Sequence, residues 1–102
     1  GAVVRLDQPA SSLDEVYVNP NPHRAHQHGD QLTVAGLPTE ATVRIVSSQG
    51  TLIRVLNETN RDGGVEWDLR DRRGRRVPSG IYLIRVEAPG EAPVLKKAAI
   101  IR

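Results

Sequence analysis

Gly80-Ile81-Tyr82-Leu83-Ile84-Arg85-Val86-Glu87, entered through Val77-Pro78-Ser79, decides the fold of this chain. Pro78, Ser79 and Gly80 punctuate the backbone, and an unbroken β-favouring run follows. At a period of two, Tyr82, Ile84 and Val86 share one face. Ile81, Leu83, Arg85 and Glu87 share the other, which is therefore only half polar. The stretch predicts a central strand of an all-β domain around which the remaining chain folds.

The flanks repeat the pattern. Downstream, Ala88 to Pro93 is a turn and Val94 to Ile101 a last strand, with Arg102 at the end. Upstream, Arg70 to Arg76 is a charged loop turning on Gly74. Val65, Trp67 and Leu69 alternate with Glu66 and Asp68, which makes Trp67, the only tryptophan, a core anchor whose indole nitrogen needs a partner. Ala41–Val46 and Thr51–Leu56 form a hairpin across Ser47-Ser48-Gln49-Gly50, with Val43 and Ile45 inward and Thr42 and Arg44 outward. Gln31–Val34 is a further strand. Glu15–Val18 is a brief one, stopped by Asn19-Pro20-Asn21-Pro22, because two alternate prolines donate nothing to a ladder. Ala2–Leu6 reads as a short strand or the end of a linker, and Asp7 to Asp14 as turn.

About seven short strands, regular Gly, Pro and Asn turns and no helical period predict an immunoglobulin-like antiparallel β-sandwich, with a small barrel as the alternative. At 102 residues the chain fits one domain. Residues 15–102 are assigned to it, and residues 1–14 to a linker or the end of an upstream region. With no Cys and 38% apolar residues, aliphatic packing must hold the core without disulfides or thiolate-bound metal. No apolar run approaches the ~18 residues of a membrane helix, so direct membrane insertion is not expected. The chain opens at Gly1-Ala2 without Met and without a signal peptide, as a piece of a longer protein would.

Four features invite chemistry. His23-x-x-His26-x-His28 with Asp30 offers imidazole and carboxylate ligands, but the spacing matches no metal signature and the segment reads as a solvated loop. Glu66 and Asp68 share a strand face as a catalytic pair would, and also as the solvent side of any alternating strand would. The serines sit at turns, with no base assigned to them, so no enzyme activity and no cofactor is expected. The net charge is only +2, yet five of the seven residues Arg70–Arg76 are arginine. The cluster reads first as a solvated turn; the alternative is that Arg72, Arg73, Arg75 and Arg76 form a basic contact surface for an anionic glycan, lipopolysaccharide or protein. Interleaved Asp71, and the absence of exposed stacking aromatics, argue against nucleic acid. The last strand is apolar on both faces apart from Lys96 and Lys97. It is read either as an inner strand or as an edge presented to another protein.

In order along the chain, Tyr17-Val18-Asn19-Pro20-Asn21-Pro22, Leu37-Pro38, Ala41-Thr42-Val43-Arg44-Ile45, Ser48-Gln49-Gly50, Gly80-Ile81-Tyr82-Leu83 and Lys96-Lys97 resemble the C-terminal sorting domain of type IX secretion cargo, a system of the Bacteroidetes. The stretch through Trp67-Asp68, Gly74 and Pro78-Ser79-Gly80 also resembles the immunoglobulin-like domain of the flagellar hook-capping protein. The first resemblance implies a noncatalytic export signal on a secreted or surface cargo that passes through the periplasm. Its implied partners are the outer-membrane translocon, its shuttle protein, and a surface sortase that joins the cargo to anionic lipopolysaccharide. The alternative is a structural accessory or scaffold-assembly module. Gly80 and Tyr82 match the family's Gly-x-Tyr motif, Gly50 its hairpin glycine, and Lys96 and Lys97 its late lysines. Gly80, Tyr82, Trp67, Gly50 and Pro20 are accordingly expected to be fold-critical. Gly80 is expected to supply a conformation or approach that a Cβ would hinder. Lys96, Lys97, Ile100 and Ile101 are expected to be recognition residues.

Overall fold

In the computed structural model, which describes residues 16–58 and 63–102, Gly80–Glu87 runs inside a five-stranded sheet. In chain order the elements are β1 (Tyr17–Asn19), β2 (His23–Arg24), one helical turn α1 (Ala25–His28), β3 (Leu32–Ala35), β4 (Ala41–Ser47), β5 (Leu52–Glu58), β6 (Gly64–Trp67), β7 (Gly80–Glu87) and β8 (Val94–Ile101). One sheet has the order β2-β8-β7-β4-β5 and the other β1-β3-β6. The expected linker 1–14, with its short strand, lies outside the described residues.

The two sheets face each other as the alternation requires. Val43 and Ile45 of β4, Tyr82, Ile84 and Val86 of β7, and Ala98 and Ile100 of β8 meet Leu32 and Val34 of β3 and Trp67 of β6. Each large apolar side chain buried this way contributes about 1.5–3 kcal/mol. The register places Ile84 opposite Ile45 on one side, and Tyr82 opposite Ala98 on the other. Between Ile45 and Val46 the register with β5 shifts, leaving Ile53 as the extra residue of a bulge on β5.

Two departures from the sequence-based reading concern the ends of strands. His23 to Asp30 was expected to be a solvated loop, yet His23–Arg24 forms β2 and pairs in parallel with Ile100 and Ile101. This two-residue strand makes eight among the described residues, and it is the parallel exception in an otherwise antiparallel sandwich. β6 ends at Trp67 rather than Leu69, because Leu69 takes φ 61°, a left-handed turn. Its side chain nevertheless stays fully buried, as the alternation predicted.

Candidate recognition site

The last strand is not a free edge where it was expected to be recognised. β2 covers it at Ile100 and Ile101, and Ile100 is core at 1% exposure, unavailable to any partner in this state. Ahead of β2, the Asn21 side chain takes the place of a neighbouring strand. Its Nδ2 donates to the Lys97 carbonyl at 2.8 Å, and its Oδ1 accepts from the Ala99 amide at 3.1 Å. This explains how a Pro-x-Pro segment can lie along a sheet: the side-chain amide makes the bonds that the proline nitrogens cannot. Arg102 closes the end. Its amide donates to Ser79 Oγ at 2.9 Å and its Nε to the Val77 carbonyl at 2.5 Å. The surface left on β8 is its first half, with Leu95 at 59% exposure and Lys97 exposed, while Lys96 and Ile101 are half-buried.

The motif residues divide into core and turn. Tyr82 buries its ring edge-to-face against Trp67, with centroids 5.6 Å apart, and its hydroxyl donates to the Pro78 carbonyl at 2.6 Å. Burial pushes its pKa above the ordinary 10.0, against the opposing charge of Arg102. Trp67 Nε1 donates to the Arg70 carbonyl at 2.9 Å, which supplies the partner its burial demands. Gly50 holds φ 90° in the β4–β5 turn, where its amide donates to the Ser47 carbonyl at 2.9 Å. Pro20 is half-buried beyond β1, and the bond before it is cis. At Gly80 the expected hindrance is absent. A Cβ there would meet only Tyr82 Cε2 at 4.0 Å, and its φ is not left-handed. The close approach belongs instead to Gly64, where a Cβ would stand 3.2 Å from the Val34 carbonyl oxygen.

Arg70 to Arg76 is a tight loop organised by its aspartate. Asp71 Oδ1 accepts from the amides of Arg73 at 2.8 Å and Arg75 at 3.0 Å, and its Oδ2 accepts from Arg75 Nε at 3.1 Å. The Arg75 amide does most to hold this carboxyl below the ordinary 3.8, with the Arg73 amide and the Arg75 charge adding to it against some desolvation. The arginine side chains point outward, and Arg72, Arg73, Arg75 and Arg76 are all exposed. Asp30, considered above as a metal ligand, instead lies 3.4 Å from both Arg76 and Arg102. One carboxylate thus faces two guanidinium groups.

The carboxylates of Glu66 and Asp68 and the imidazoles of His23 and His28 are also engaged. Gln31 Nε2 donates to Glu66 at 2.6 Å, and Arg54 pairs with Asp68 at 2.9 Å. Buried His23 bonds the Gln31 carbonyl at 3.0 Å; a carbonyl only accepts, so Nε2 carries the proton. His28 Nδ1 accepts from the Arg24 amide at 3.0 Å. Among the described residues no group of three or more His, Asp or Glu is set to hold a metal ion. Sequence reasoning missed Asn21 and Arg102. An Asn between two prolines beside a sheet is a usable signal for the first, whereas nothing local marks the second.

No family model matches the chain, and none of the curated proteins does. Among solved structures it is similar to PorZ, an essential bacterial surface component of the type IX secretion system of Porphyromonas gingivalis, with a TM-score of 0.77 and 38% identity over 91% of this chain. It also matches dimeric latent PorU of the same organism, with a TM-score of 0.60 and 23% identity over 84% of this chain, a likeness of fold alone. The chain spans 12% of the first protein and 9% of the second. The likeness to PorZ extends to sequence as well as fold, and it shows the resemblance to type IX secretion domains that the motifs carry.

Proposed function

We propose that this immunoglobulin-like domain serves type IX secretion as a noncatalytic sorting domain, directing an attached upstream cargo through the outer-membrane translocon to the cell surface. The observation that carries the reading is the match to PorZ, 38% identical over 91% of the chain. The domain acts by being recognised: a shuttle protein and a surface sortase are its partners, and residues 1–14 join it to the cargo.

On this reading a receptor meets the part of β8 that stays accessible while the sandwich is folded. Ile100 is inside, so the readable part of β8 is the Leu95 and Lys97 face, opposite Arg85 and Leu83 of β7. Deleting β8 would remove an inner strand and destroy the fold, so loss of export on deletion would not separate recognition from stability. Point changes on the exposed face do separate them. A reporter fused ahead of the chain, in a type IX-competent host, is expected at the surface with the parent domain. With Leu95→Glu and Lys97→Glu together its display should fall severalfold while the melting temperature holds. Undiminished display of that folded double variant would refute this assignment of the face.

A further inference from the structure

At one end of the sandwich a groove of about 270 Å³ opens between the β4–β5 turn and the entry to β7. Its polar residues include Ser48, Gln49, Ser79, Arg76 and the carboxylate of Asp71, and its apolar ones Ile53 and Ile81. Arg76 of the basic loop and the motif residues Gly80 and Tyr82 also line it, whereas the β8 face proposed above for recognition does not. The volume lies just under the ~300–1,000 Å³ of small-molecule sites, enough for a short segment of chain rather than a large cofactor.

Three observations fix the chemistry of the occupant. Arg76 is 61% exposed and shares Asp30 with Arg102, while Asp71 on the same wall is taken by the Arg73 and Arg75 amides and by Arg75 Nε, so Arg76 has room for a further anion. An arginine fork takes a carboxylate in two parallel bonds. Gly80 stands exposed at the start of β7 with open space where a Cβ would be and no left-handed φ, so the fold itself does not require glycine there. A glycine at the entrance of β7 leaves room for another backbone to come close. Finally, Trp67 and Tyr82 are buried, so the groove has no open aromatic platform for stacking a sugar ring or a base.

We propose that this groove binds an extended acidic peptide, with one of its carboxylates on Arg76, its backbone against Gly80 and an apolar side chain on Ile53 and Ile81. The proposal does not rest on the secretion reading, since binding in solution requires no translocon.

The test is a titration of the ¹⁵N-labelled 102-residue chain with an end-capped pentapeptide alternating Glu and Val. The controls are the same peptide with Lys for Glu and a sulfated oligosaccharide of equal charge. Saturable amide shifts at Ser48, Gln49, Ser79, Gly80 and Ile81 are expected with the acidic peptide alone. Arg76→Ala should weaken binding by roughly fivefold or more, the loss of one charge-assisted contact. Gly80→Val should block the approach while the rest of the spectrum is retained. Absence of shifts at millimolar peptide would overturn the proposal. So would shifts confined to Arg72 and Arg73 that survive both substitutions, or equal shifts with the oligosaccharide, which would mark a general anion surface.

Discussion

His23–Asp30 and Arg70–Arg76 are both polar segments between strands, and their composition invites the same reading of each as solvated loop. The structure treats them oppositely. The first sends His23 into the core at 0% exposure, pairs β2 with β8 and covers the end of the sheet. The second keeps its charged side chains in water and uses Asp71 to shape its own backbone. Whether a polar segment belongs to the core depends less on its charges than on whether its backbone finds a ladder. Asn21 supplies the bonds that bring the first segment onto one, and the second satisfies itself.

The contrast predicts a graded series. His23→Asp should be the most damaging, because it sets a carboxylate without a cation in a buried position, at about 3–5 kcal/mol. Urea unfolding would measure this, and a loss below about 1 kcal/mol, the scale of an ordinary surface change, would place His23 in solvent after all. Asn21→Ala should cost about 1 kcal/mol, since the Lys97 carbonyl and Ala99 amide exchange a protein partner for water. Faster hydrogen exchange at Ala99 is the specific signature, and unchanged exchange would remove Asn21 from its strand-like role.

The arginine loop should respond weakly. Its Asp71 carboxyl should titrate below 3.8, the ordinary value, when followed by carbon NMR. A lowered folded pKa means that the contribution is present at neutral pH and fades as the pH falls from the ordinary value through the lowered one. A titration at or above the ordinary value would mean that the Arg73 and Arg75 amides do not hold it. Arg72→Ala with Arg73→Ala should change stability least, within about 0.5 kcal/mol, as exposed side chains without packing do.

The strands were legible because alternation survives burial. Val43 and Ile45, Tyr82, Ile84 and Val86, and Trp67 all face inward as their spacing requires. The apolar tail of β8 was legible as a strand but ambiguous as to place, since an inner strand and a sticky edge carry the same pattern. What decides between them is β2 and Asn21, about 80 residues away in sequence, where no periodicity reaches. Gly80 was misread for a similar reason. Glycine at a strand entrance suggests crowding, and only the three-dimensional arrangement shows that the crowded glycine is Gly64.

The central claim is that this folded domain is a passport for type IX export. The direct measurement compares surface display of a reporter fused ahead of the chain in a type IX-competent strain and in one lacking the outer-membrane translocon. The account predicts reporter on the surface of the first and retained in the periplasm of the second. Equal display in both strains, or equal display of the reporter without the domain, would contradict it.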